Sequence, residues 1–139
     1  LPNDQELSLL GSHSMLGPIL AILILICLAT RFIFKRPAAA DAGHPLLNLA
    51  GRAVHGLLYL GVFVLLFSGA SLSMAYDLPN ILAGDGTMPA DLFVYPQRFM
   101  HGILSNLMMA LVALHVGAAL YHQFIRKDNL LARMWFGKR

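Results

Sequence analysis

The residues whose types and spacing could do chemistry are the six histidines. Three of them, His101, His115 and His122, lie in one stretch from Met100 to Phe124 that contains no Asp, Glu, Lys or Arg. As a helix its roughly 25 residues span about 37 Å, enough to cross a hydrocarbon core of ~30 Å with some tilt. His101 and His115 are 14 positions apart. On an α-helix that is a rise of about 21 Å, with the side chains only about 40° apart around the axis. One face then presents an imidazole near one leaflet and another much deeper. Imidazole is a common axial ligand of haem iron, and two ligands at this spacing can hold two haems stacked across a bilayer. A histidine in a membrane helix also serves as a hydrogen-bonded packing residue, or sits in the headgroup layer near a helix end. His122, close to the basic end, is read as interfacial rather than ligating.

The elements that must position these side chains follow from composition. Of 139 residues, 58% are hydrophobic and only 12% charged, and the mean hydropathy is +0.66. That excess is a lipid-facing surface rather than a soluble core. The reading is an all-α integral membrane helical bundle, one domain over residues 1–139, with helices at about 14–34, 53–76 and 99–125. His13 stands at the entrance of the first span, with Pro18 in its first turns. His55 lies near the start of the second, and Ser68, Gly69, Ser71 and Ser73 near its far end, where small residues let helices approach closely. His44 precedes Pro45 in a loop and is expected to be solvated. Residues 77–98 form a longer loop, and Trp135 and Phe136 in the basic tail are expected interfacial anchors.

Several chemistries are excluded. The single cysteine, Cys27, cannot form an intrachain disulfide. Zinc-site patterns and C-x-x-C-H are absent, so a haem here would be b-type, held by coordination and packing. The net charge of +3 sits at helix ends and is no nucleic-acid signature. Residues 1–12 lack the basic start of a signal peptide.

Charge sets the expected topology. The first tail carries two acids and no base, and the segment from Asp77 to Arg98 three acids and one base. Arg31 to Arg52 carries four bases and one Asp, and the C-terminal tail five bases and one Asp. The positive-inside rule makes the basic segments cytoplasmic, and the N-terminus and residues 77–98 periplasmic. His13 and His101 then enter from the outer side at similar depth and are natural partners for one haem. His115 lies about 15 Å from the inner end of its helix and His55 only about 3 Å from that end of its own. They are poorly matched, so His115 wants a partner from elsewhere.

The chain resembles the prokaryotic cytochrome b561 family, relatives of the dihaem cytochrome b subunits of hydrogenases and formate dehydrogenases. The resemblance is carried by His13-Ser-Met-Leu-Gly, by Ala53-Val-His55-Gly-Leu-Leu-Tyr-Leu, and most strongly by LHVGAALYHQFIRKDNLLARM from Leu114 to Met134. The family pattern has four transmembrane helices, with a haem-ligating histidine on the first. This sequence begins where that helix would end, either as a piece of a longer protein or as a three-helix variant. The resemblance implies that His13 and His101 hold an outer haem and His115 an inner one, its partner on the absent helix. Without that helix, His55 is the fallback partner.

The function implied is electron transfer in a bacterial inner membrane between a quinone, such as ubiquinone, and an outer donor or acceptor, using one or two haems b. Some relatives are thought to oxidise superoxide and reduce ubiquinone. Arg98 could steer such an anion or pair with a haem propionate; the second reading is preferred. The rival readings are a haem-bearing anchor subunit of a larger respiratory or photosynthetic complex with a protein electron donor, and a structural subunit that keeps the fold.

Overall fold

The structure, a computed structural model, describes residues 4–34 and 41–129. Helix α1 is Asp4–Ile33, α2 is Pro45–Ala75, the short α3 is Leu78–Ala83 and α4 is Pro96–Leu120. A π-helical turn, Tyr121–Arg126, continues α4, and a 3-10 turn, Leu92–Val94, precedes it. Three of these helices are long and apolar enough to cross a membrane. The basic tail with Trp135 and Phe136 lies outside the described residues, as does most of the link from α1 to α2.

Each long helix extends beyond the apolar window that marks it in the sequence. Asp4 and Glu6 occupy the first turn of α1, where acidic groups favour the helix dipole. Pro18 therefore falls in mid-helix, not in the first turns. The helix runs through it, because in an apolar medium keeping the remaining ladder is worth more than breaking it. Helix α2 starts at Pro45, eight residues before the apolar run at Ala53. Proline suits the first helical turn, having no N–H to orphan. His44 is its cap, its Nδ1 accepting from the Leu46 N–H at 3.2 Å, so this histidine is exposed but has a structural bond.

Polar side chains within the helices satisfy themselves against the backbone. Ser14 Oγ donates to the Leu10 carbonyl at 2.8 Å, Thr30 Oγ1 to Cys27 at 2.8 Å and Ser105 Oγ to His101 at 2.6 Å. Without water, such bonds are the available outlet for a hydroxyl.

Packing is uneven. Helix α2 packs along much of α4 and less on α1, whereas α1 hardly approaches α4. A Cβ built on Gly61 would lie 2.5 Å from Met108 Cε, and one on Gly69 would lie 3.2 Å from the His101 ring. These two glycines let α4 lie close on α2. The buried core sits at one end, where Leu72, Tyr76, Leu78 and Ile81 cluster with Leu7, Leu10 and Tyr95 against them. Along the helices, large side chains such as Met15 (71% exposed), Phe67 (78%) and Ile33 (74%) face outward. Such a surface belongs in lipid.

Three crossings place the α1–α2 link and the α2–α4 link on opposite membrane faces. With Cys27 replaced by Ala, Asp41→Cys and Asp85→Cys are expected to react with impermeant maleimide from opposite sides. Reaction of both from one side would contradict the three-span bundle.

Candidate functional site

Four of the six histidines meet in two pairs. His13 of α1 and His101 of α4 face each other with ring centroids 6.1 Å apart and planes crossing at 80°. His55 of α2 and His115 of α4 have centroids 4.9 Å apart and planes at 88°. The first meeting is the one expected from depth. The second departs from expectation, and the helix boundary explains why. Because α2 starts at Pro45, His55 lies ten residues into the helix, about 15 Å from its end, not 3 Å. That matches His115, eleven residues before the end of the π-helical turn at Arg126. Helices packed side by side then bring the two rings level.

Hydrogen bonds fix the proton in one ring of each pair. Ser68 Oγ donates its single proton to the Leu65 carbonyl at 2.9 Å. Its 2.8 Å bond with His101 Nδ1 must therefore run from Nδ1–H to the serine oxygen. His55 Nδ1 lies 2.7 Å from the Gly51 carbonyl, which can only accept, so Nδ1 again carries the proton. In both rings the lone pair is left on Nε2. A metal-bound imidazole needs this arrangement, one nitrogen donating to a carbonyl or hydroxyl and the other coordinating. The cradle of His101 is completed by Gly69, where a Cβ would press on ring atom Cε1 at 3.2 Å.

The donor set, two imidazoles on different helices, is of the kind that would hold a haem iron. With metal–imidazole bonds of about 2.0–2.1 Å, two rings across one metal have centroids roughly 6 Å apart. The His13–His101 pair stands at 6.1 Å, in the region where α1 and α4 do not pack together. Beside it is an apolar groove of ≈ 370 Å³ along α1, lined by His13, Leu16, Gly17, Ile19, Leu20 and Leu23. The His55–His115 rings, at 4.9 Å, would have to part by about 1 Å to share a metal. Among the described residues no group of three or more His, Cys, Asp or Glu side chains could hold a metal ion. The protein groups that a metal at either pair would meet are two imidazoles.

The remaining histidines do other things. His44 caps α2. His122 is 9% exposed, and its Nδ1 donates to Asp128 Oδ2 at 2.5 Å. It was expected in the headgroup layer; burial in the π-helical turn and the carboxylate were not legible in the spacing. Nearby, Asp41 accepts from Asn48 at 2.8 Å and from the Gly43 N–H at 2.9 Å. These two bonds, with the Arg126 charge, hold its carboxyl below the usual range. At the opposite end Arg98 lies 5.3 Å from the Phe93 ring centroid, one turn before His101.

Comparison with known proteins fits this geometry. The family model described as prokaryotic cytochrome b561 matches residues 2–137. Cytochrome b561 homolog 2 of Escherichia coli K12 is 32% identical over 132 residues, covering 88% of this chain and 68% of that protein. Cytochrome b561 homolog 1 of the same organism is 32% identical over 76 residues, covering 54% of this chain and 40% of its own. No solved structure matches the chain.

The cradle around His101 is testable without any cofactor. Gly69→Val should overpack the His101 ring and cost about 1–3 kcal/mol, seen as a lower unfolding temperature in detergent. Gly51→Val, where nothing lies within 4 Å, should cost little. Equal tolerance at both positions would show that α4 does not rest on Gly69.

Proposed function

Because this chain belongs to the prokaryotic cytochrome b561 family, we propose that it is a membrane b-type cytochrome passing electrons between the quinone pool and a redox partner at its acidic end. The observation that carries the reading is the facing pair His13 and His101, with the His101 proton held on Nδ1 by Ser68. His13 and His101 would hold one haem, and His115 with His55 a second. Haem supplies a one-electron couple whose potential is set by ligands, burial and nearby charge.

The protein's own residues do the rest. Ser68 and the Gly51 carbonyl fix ring orientation and increase imidazole basicity. Arg98, one turn from His101, supplies positive charge suited to a propionate. The low-dielectric helices keep water from the ligating atoms. Lys and Arg crowd the end carrying Arg31, Arg52, Arg126 and Lys127, which makes that end cytoplasmic and the acidic end periplasmic. Quinone reduction needs protons as well as electrons. At the basic end, His122 Nδ1 donates to Asp128. Superoxide is the weaker substrate reading. The outer segments carry one Arg against five carboxylates, a field that repels anions.

Optical and EPR spectra of histidine variants test the ligand assignment. His13→Ala and His101→Ala should deplete the same low-spin haem, and His55→Ala and His115→Ala the other. His44→Ala should change neither, and His122→Ala should leave ligation intact. Loss of different haems from His13→Ala and His101→Ala would overturn the pairing. An unchanged inner signal in His55→Ala would assign the partner of His115 to another helix.

Ser68→Ala gives a finer test. Without an acceptor for Nδ1–H the His101 imidazole becomes a poorer electron donor, so the midpoint potential of the outer haem should rise while the inner stays put. Ser68→Thr should restore the parent value.

A further inference from the structure

A second surface feature lies above the His13–His101 pair. A groove of ≈ 630 Å³ separates the start of α1 from the segment before α4, lined among others by Glu6, Leu10, Asp91 and Phe93. Leu10, which lines the groove, precedes His13 by three residues, a rise of about 4.5 Å on α1. At its rim Phe93 is 72% exposed and Val94 69%. Two carboxylates, Glu6 and Asp91, line the groove, and Asp4, Asp77 and Asp85 are exposed in the same outer segments. The one cation of these outer segments, Arg98, is folded over the Phe93 ring.

An apolar centre with a rim of one charge sign is the anatomy of a transient docking face. We propose that this groove docks a soluble one-electron redox protein whose own cofactor edge is ringed by Lys and Arg. The occupant is chosen by complementarity. A basic rim is drawn to five carboxylates and oriented by them, whereas a small anion is turned away. The small groove suits a weak, quickly released complex of the electron-transfer kind. In the direction of quinone reduction the partner loses one electron and the site between His13 and His101 gains one; no bond forms or breaks and no proton moves. Two such transfers, with two protons, convert one quinone to quinol. The proposal rests on the electron-transfer reading above and goes beyond it in naming the partner's chemistry and its seat.

The test uses the haem-loaded protein in sealed proteoliposomes with the acidic end facing outward, so that neither oxidant reaches the basic end, reduced with dithionite and then oxidised in a stopped-flow instrument. The two oxidants are mitochondrial ferricytochrome c, with its lysine-ringed haem edge, and the anion ferricyanide. The rate with cytochrome c should fall about tenfold or more between roughly 10 and 200 mM salt, and that with ferricyanide should rise. Glu6→Lys and Asp85→Lys should each slow cytochrome c about threefold or more at low salt and speed ferricyanide. Phe93→Ala should slow cytochrome c alone. A cytochrome c rate independent of salt and of these variants, or a ferricyanide rate highest at low salt, would overturn the proposal. If dithionite itself reduces no haem, the electron-transfer reading falls and this inference falls with it.

Discussion

The structure depends on how an imidazole is held on an apolar membrane helix. Each ring has two nitrogens, and in lipid neither can turn to water. His101 and His55 give the Nδ1 proton to Ser68 and to the Gly51 carbonyl, so the lone pair in each ring stands on Nε2. A buried polar group left without such a partner costs several kcal/mol. These bonds therefore orient the rings and also make it tolerable to keep them there. Ring direction and the position of the free lone pair come from one arrangement.

That arrangement requires close helices, and the small residues of α2 supply the approach. Ser68 and Gly69 are adjacent; one takes the His101 proton and the other leaves room for the ring. Gly61 accepts Met108 two turns away. The contrast with α1 carries meaning. Helix α1 touches α2 but scarcely approaches α4, yet His13 and His101 face each other across that space. One imidazole pair, His55 and His115, thus lies within the close α2–α4 interface, and the other, His13 and His101, spans the more open space between α1 and α4.

Much of this was legible in the sequence. Charge-free apolar runs marked three crossings, and the 14-residue spacing placed His101 and His115 on one face of α4. Equal entry depth paired His13 with His101. What failed was the depth of His55, because hydropathy marks the hydrocarbon crossing and not the helix end. His44 as a cap and Pro45 at the first helical position were the local signals that moved the start of α2 outward. The bond from His55 to the Gly51 carbonyl is local to α2 and needed only the earlier helix start. The bond from His101 to Ser68 was not readable, since it depends on which faces of α2 and α4 meet. The same holds for His122, whose carboxylate partner Asp128 is brought within reach only by the π-helical turn and the left-handed backbone at Lys127. The family resemblance seen in the final block of sequence agrees with the match over residues 2–137.

The paired imidazoles, the apolar helices and the family support the proposed noncovalently held b-type haem. The most direct check is the cofactor of the purified protein, by acid–acetone extraction, pyridine haemochrome spectrum and low-temperature EPR. The account predicts haem that extracts freely, gives the b-type spectrum and is low-spin and six-coordinate in the protein. Protein without haem, or haem that stays attached to the polypeptide through extraction, would contradict it.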